Sequence, residues 1–68
     1  MKHFRVTFEY SHPYPIRGLY NVEAGQFKTA ISRAMVLFLR DVRQRHNGRL
    51  PHIKQIFVRV DYLGKKQS

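Results

Sequence analysis

The longest periodic stretch of the chain, residues 24–46, constrains the fold more than any other feature. Advancing by about 100° per residue places five of its apolar residues on one side of a helix. These residues are Phe27, Ile31, Ala34, Phe38 and Val42, with Ala30 and Met35 at the margins of the same side. The pattern predicts an amphipathic helix with this side buried, so the rest of a short chain must supply the surface that covers it.

The sequence defines the C-terminal end of this helix more clearly than its N-terminal end. Gly25 opens it without a Ser, Thr, Asp or Asn to cap the first free N–H groups, so the sequence leaves the position of the first turn open. At the other end, Asn47 and Gly48 tolerate a left-handed conformation, and Pro51 prevents the helix from resuming. We therefore expect the helix to end near His46.

Three other segments have the composition of β-strands. Residues 2–10 alternate polar and apolar without a fault, residues 16–23 alternate more weakly, and residues 53–62 are rich in β-branched and aromatic side chains. The two prolines within residues 11–15 favour a chain reversal between the first two strands. The predicted inward rows are Phe4, Val6, Phe8 and Tyr10, then Ile16, Gly18, Tyr20 and Val22, and finally Ile56, Val58, Val60 and Tyr62.

A hairpin centred on Pro13 aligns both faces of the first two strands at once. Its facing pairs are Val6 with Tyr20, Phe4 with Val22, Glu9 with Arg17 and His3 with Glu23. Apolar residues then face apolar residues, and basic side chains face acidic ones. Because a slip of one residue would exchange the two faces, this agreement predicts the register.

The order β-β-α-β predicts an α+β fold in two layers, in which a three-stranded antiparallel sheet is covered on one face by a single helix. The first strand has the cleanest alternation and takes the central place, which gives the strand order 2-1-3. Residues 1–63 form this single domain, and residues 64–68 are predicted to be a flexible basic C-terminal tail. With 68 residues the core is thin, and a second copy in a homodimer, or another partner, would complete it.

The charge balance indicates a polyanionic partner. Lys and Arg number 13 against four Asp and Glu, for a formal net charge of +9. Such a chain suits nucleic acid, an acidic protein or an anionic membrane, and the competing explanation is that the charge serves solubility alone. The absence of cysteine favours a reducing, cytoplasmic setting. No apolar run is long enough for a signal peptide or a membrane span, so we expect no membrane partner.

Catalytic chemistry is not indicated by the sequence. The four acids lie apart, and none of Ser11, Ser32 and Ser68 lies in the strained strand-to-helix turn of a catalytic serine. The histidines match no zinc spacing, and the isolated glycines form no phosphate-binding loop. We therefore predict a protein that is not an enzyme and has no catalytic residues, metal site or cofactor.

The solvent side of the predicted helix carries arginines without acids between them. We call Arg33, Arg40 and Arg43 the arginine strip, and Arg45 and Arg49 extend its charge past the helix end. The planar guanidinium suits phosphate contacts, but no motif for reading bases accompanies it. Our first hypothesis is a protein that binds DNA or RNA mainly through phosphates, using Arg33, Arg40, Arg43, Arg45, Arg49, Lys65 and Lys66.

The uncovered face of the sheet offers a second hypothesis. Its charges are balanced, and it carries one apolar spot, Leu19 with Phe57. Such a face suits a small adaptor or inhibitor, of the kind that a phage or mobile element encodes, docking on an acidic protein or a nucleoprotein complex through the open face or a sheet edge. The residues assigned to this alternative are Leu19, Phe57, Arg5, Arg17 and Arg59.

Overall fold

Three antiparallel strands and one helix make up residues 1–11 and 14–65, the part of the chain that this computed structural model describes. The elements follow one another as β1 (Lys2–Tyr10), β2 (Ile16–Ala24), α1 (Phe27–Arg45) and β3 (Phe57–Lys65). The sheet has the strand order β2-β1-β3. The predicted α+β class and strand order are therefore confirmed. The predicted turn centre, His12 and Pro13, lies outside the described residues.

The hairpin of β1 and β2 has the predicted register. On the helix side, Val6 faces Tyr20 and Phe4 faces Val22. On the other side of the sheet, Glu9 faces Arg17 and His3 faces Glu23. All four helix-facing residues of β1 are buried. The strict alternation of β1 thus fixes the face that packs against the helix, as its central position requires.

The buried side of α1 is turned slightly from the predicted one. Ala30, Ala34, Phe38 and Val42 are buried, whereas Phe27 is 63% exposed and Ile31 is half-buried. The prediction that Phe27 belongs to the core was wrong. Phe27 is the first helical residue, and it lines an open pocket at the end of the sheet instead of lying over the sheet. The small side chains of the two alanines let the helix approach the strands closely, which shifts the contact side toward them.

The centre of the core is an aromatic cluster around Phe38. Its ring stacks on Phe8 with 4.7 Å between centroids, and the rings of Tyr10 and Tyr20 approach it edge-on. Gly18 lies directly beneath, because a Cβ there would come within 2.7 Å of the Phe38 ring. The glycine in the inward row of β2 is therefore a packing requirement of this cluster.

β3 differs from its predicted bounds at both ends. It begins at Phe57 instead of residue 53, although Ile53 and Ile56 still pack against the core from the preceding segment. It continues to Lys65, so the predicted tail at 64–68 begins inside the strand, and residues 66–68, including Lys66, lie outside the described residues. The pairing of β3 with β1 shifts in register between Phe4 and His3. Gly64, which faces His3, has a φ of 104°.

The helix covers the sheet unevenly. α1 packs mainly on β2, less on β1 and least on β3. Val58 and Tyr62 belong to the predicted inward row of β3 and face Phe8 and Phe4 of β1, yet they are 43% and 57% exposed. The single helix therefore leaves the helix-side surface of β3 largely open, which the strand pattern alone did not reveal.

Candidate functional site

The C-terminal end of α1 has the predicted left-handed stop. Asn47 and Gly48 have φ values of 57° and 85°, and the N–H of Gly48 donates to the carbonyl of Arg43 at 2.7 Å. The N–H of His46 donates to the carbonyls of Val42 and Arg43. These bonds satisfy carbonyls that the helix end would otherwise leave free, and they hold the following backbone beside the last turns of the helix.

An open groove of about 560 Å³ lies along these last turns. Arg40 and Arg43 supply two guanidinium groups to it, and Gln44 supplies an amide. Val36, which is 68% exposed, gives it an apolar surface. Its lining residues are Val36, Leu39, Arg40, Arg43, Gln44 and Gly48, and we call it the helix-end groove. No acidic side chain is among them, so the groove combines positive charge with apolar surface.

Asp41, the one acidic residue of α1, belongs to the side of the helix that faces β2. Its Oδ2 accepts a hydrogen bond of 2.6 Å from the Tyr20 hydroxyl, and Arg40 Nε lies 3.8 Å from its Oδ1. The Arg40 side chain is 63% exposed, and an ion pair of this length in contact with water is weak. Asp41 therefore reduces the charge of Arg40 only partly and is not in the lining of the groove.

The remaining residues assigned to nucleic-acid binding do not join the groove. The guanidinium of Arg33 donates to the main-chain carbonyl of Glu23 and so ties α1 to β2. Arg45 lines a different, small cavity together with Arg17 and Tyr20, next to the sheet. Arg49 is exposed in the segment after the helix, and Lys65 is the last residue of β3. The structure thus brings together only Arg40 and Arg43 of the predicted residues that it describes.

The open sheet face has the balanced charge that the sequence predicts. His3 Nε2 lies 3.5 Å from Glu23 Oε1, and Arg59 Nε lies 3.2 Å from Asp61 Oδ1. Arg5 faces Asp61 on the neighbouring strand. Opposite charges therefore alternate over this face, and it provides no concentrated field for a polyanion.

The predicted apolar spot on that face is divided. Leu19 and Phe57 are 50% and 61% exposed, as expected. However, Leu19 lies on β2 and Phe57 on β3, at the two edges of the sheet, with Thr7 and Glu9 of β1 between them. The two side chains are thus separated by the width of the central strand and do not form one continuous patch.

One contact near the helix end had no signal in the sequence. The hydroxyl of Tyr14 lies 2.6 Å from His46 Nε2, and the two rings are 5.2 Å apart between centroids. The contact joins the connection between β1 and β2 to the end of α1. Since the two residues are 32 positions apart, neither periodicity nor spacing could pair them.

Neither metal binding nor a membrane span is indicated by the described part of the chain. Within residues 1–11 and 14–65, no three or more His, Asp or Glu side chains come together as metal ligands would. No helix in these ranges combines the length and the apolar character needed to cross a bilayer. No protein-family model matches the sequence, and neither does any curated protein or solved structure. The fold and the groove thus define this molecule as a small basic α+β domain.

Proposed function

We propose that this protein binds nucleic acid, mainly through phosphate contacts from Arg40 and Arg43. The observation that carries the proposal is the helix-end groove, where these two arginines lie together in a lining without acidic side chains. The arginine fork can hold two oxygens of one phosphate, which a lysine ammonium cannot do. A net charge of +9 supplies long-range attraction for a polyanion.

The negative end of the helix dipole opposes this charge but does not cancel it. The last carbonyls of a helix are equivalent to roughly half a negative charge, and those of α1 are partly satisfied by the N–H groups of His46 and Gly48. Arg40 and Arg43 contribute two full positive charges at the same end. The groove therefore remains positive.

The apolar lining favours a polymer of nucleotides over a free inorganic anion. Val36 and Leu39 lie in the same groove as the two guanidinium groups, where a sugar or the face of a base can cover them while the phosphate meets an arginine. Gln44 adds one amide that can accept or donate a hydrogen bond. Because a single amide is too little for reading a sequence, we expect binding that is weakly specific and strongly dependent on salt.

The alternative role, docking on an acidic protein through the open sheet face, has less support. The apolar residues proposed for it are divided between two edges, and the charges between them alternate in sign. A docking face normally has a continuous apolar centre with charge at its rim. The helix-end groove is therefore the better candidate for the functional surface.

Fluorescence anisotropy with labelled single-stranded and duplex oligonucleotides, at several salt concentrations, tests the proposal. The informative variant is Arg40→Gln with Arg43→Gln, and its matched control is Arg5→Gln with Lys28→Gln, which removes the same charge elsewhere. If both arginines meet phosphates of a duplex, the groove variant lowers the slope of log affinity against log salt by about 1.8, at about 0.9 per lost contact. We expect at least a tenfold loss of affinity in the groove variant and a much smaller loss in the control.

Two results would contradict the proposed function. One is that the unaltered protein binds no oligonucleotide at low salt. The other is that the groove variant and its control lose affinity equally, because binding would then follow net charge and not the helix-end groove. Circular dichroism of each variant verifies that it is folded.

A further inference from the structure

β3 is an edge strand with exposed apolar residues on both of its faces. On the helix side, Val58 is 43% and Tyr62 is 57% exposed, and on the open side Phe57 is 61% exposed. Leu63, near the end of the strand, is 47% exposed. An exposed edge with this composition invites pairing with another strand, because no strand of the described residues adjoins its outer N–H and C=O groups.

We propose that β3 pairs in antiparallel fashion with β3 of a second copy, around a two-fold axis at Val60. The two three-stranded sheets then join into one of six strands. A closed pair of identical edges requires the axis to be perpendicular to the sheet, so both helices lie on the same side. The facing pairs are Val60 with Val60, Arg59 with Asp61 and Val58 with Tyr62, each taken between the two copies.

The charges of the strand favour this register over an axis at either neighbouring residue. With Val60 on the axis, each Arg59 faces Asp61 of the second copy, and this occurs twice by symmetry. Moving the axis to the position of Arg59 sets two arginines against each other, and moving it to Asp61 sets two carboxylates against each other. Within one chain Arg59 and Asp61 are already 3.2 Å apart, so the dimer brings two such pairs into one alternating cluster.

The irregular end of β3 also favours a two-fold axis at Val60. Its pairing with β1 is regular up to Tyr62 and shifts beyond it, where Gly64 has its φ of 104°. The regular part therefore runs over residues 57–62, and Val60 lies near its middle. An axis further along the chain would place the irregular segment within the new pairing, where a bulge disrupts the hydrogen bonds between strands.

The other edge of the sheet is less suited to pairing. The helix-facing residues Ile16, Val22 and Ala24 of β2 are already buried by α1. The carbonyl of Glu23, near the end of the strand, accepts a hydrogen bond from Arg33 of α1. Pairing at β2 would thus bury little additional apolar surface, whereas pairing at β3 covers residues that the single helix leaves open.

Sedimentation equilibrium combined with charge exchange tests the proposed dimer. At tens of micromolar, the unaltered protein is expected at twice the 8.1 kDa of one chain. Arg59→Asp alone and Asp61→Arg alone each set like charges against each other twice, so each is expected at the mass of one chain. When the two variants are mixed in equal amounts, the two acids of one chain face the two arginines of the other, and twice that mass is expected again. Leu19→Lys on the β2 edge is the matched control and leaves the mass unchanged.

Crosslinking tests the register on an otherwise unaltered strand. Since the chain has no cysteine, Val60→Cys places the only thiol at the axis. Facing Cα atoms of antiparallel strands are about 4.5–5.5 Å apart, within the range that a disulfide spans. Val58→Cys places the two thiols about 13 Å apart along the strands in this register. Mild oxidation should therefore link the Val60 variant and not the Val58 variant.

Any one of four results would overturn the proposal. The first two are a single-chain mass for the unaltered protein at hundreds of micromolar, and a single-chain mass for the mixed variants while circular dichroism shows each to be folded. The third is equal crosslinking at positions 58 and 60. The fourth is a dimer that Leu19→Lys abolishes, because the interface would then be at β2.

Discussion

The hydroxyl of Tyr20 donates a hydrogen bond of 2.6 Å to Oδ2 of Asp41 and thereby fastens β2 to α1. Both side chains are half-buried. Burial first, and the hydrogen bond and negative charge of Asp41 second, raise the pKa of Tyr20 from 10.0 to about 12. The folded protein thus holds this proton more tightly than the unfolded chain does, which links its stability to pH.

We expect Tyr20→Phe to lower the free energy of unfolding at pH 7 by about 1–2 kcal/mol, because it removes a hydrogen bond to a charged acceptor. The pH dependence has a definite sign. Because the folded pKa of Tyr20 is raised, its contribution is complete below pH 10 and is lost as the pH rises to about 12. Urea denaturation between pH 7 and 12 measures both effects, and the alkaline loss should be smaller in the variant.

The control for this prediction is Tyr14→Phe, which removes an exposed hydroxyl contact with His46. We expect a change of less than about 0.5 kcal/mol there, as for most surface substitutions. If the two variants were equally stable at pH 7 and equally sensitive to alkali, the Tyr20–Asp41 bond would have no special role in joining the helix to the sheet.

Tyr10 gives the opposite prediction from Tyr20. It is 1% exposed, and its hydroxyl has no hydrogen-bond partner among the described residues. A buried hydroxyl without a partner costs about 1–3 kcal/mol in mutational data. Tyr10→Phe should therefore leave stability unchanged or raise it, as measured by thermal denaturation. A loss comparable to that of Tyr20→Phe would show that the hydroxyl is hydrogen-bonded in solution.

Most of the fold followed from the sequence because β1 and the hairpin obey one simple rule. The alternation from Phe4 to Tyr10 and the facing charges of Glu9 and Arg17 specify the face and the register together. The error at Phe27 arose because a periodic pattern gives direction around a helix but not the point along it where contact with the sheet begins. The uneven cover of β3 depends on where the helix crosses the sheet, and no local pattern records that.

The sequence predicted the positive charge of the candidate site but not the full set of residues that line it. The sequence singled out Arg40 and Arg43, which do line one groove. It could not separate Arg33, because the bond of that side chain to the carbonyl of Glu23 depends on the distance between α1 and the end of β2. Gly48 was assigned to the helix stop alone, and its place in the groove follows from the direction of the chain after that stop.

Gly18 should tolerate no side chain. A Cβ there would lie 2.7 Å from Phe38 Cδ1 and 2.9 Å from Tyr20 Cε2, and the Phe38 ring is held by its stack with Phe8. We therefore expect Gly18→Ala to destabilise the protein by about 1–3 kcal/mol, as overpacking of a core does. Gly25→Ala is the matched control, because apart from its two chain neighbours no described residue has an atom within 4 Å of its added Cβ. The midpoints of urea denaturation of the two variants measure the difference. Equal midpoints would mean that the aromatic rings can shift to accept the added methyl group with little loss of stability.

The start of α1 leaves room for stabilisation. The N-cap Gln26 has extended backbone, φ −142° and ψ 153°, but its side chain makes no capping hydrogen bond, and the first turn contains no acid. Asp at this position can accept a hydrogen bond from a free N–H and place negative charge at the positive end of the helix dipole. Gln26→Asp should raise the free energy of unfolding by about 0.5–2 kcal/mol. In a domain of this size each kcal/mol corresponds to about 4–8 °C in melting temperature.

The accompanying control is Gln26→Asn, which keeps the capping oxygen without the charge. It should give part of the gain, and added salt should reduce only the excess of the Asp variant over the Asn variant, because salt screens the dipole interaction more than the hydrogen bond. Thermal melts at low and high salt measure both contributions. The prediction would be contradicted if neither variant had a higher melting temperature than the unaltered protein. The free N–H groups at the start of α1 would then already be satisfied by water, and this first turn would not limit stability.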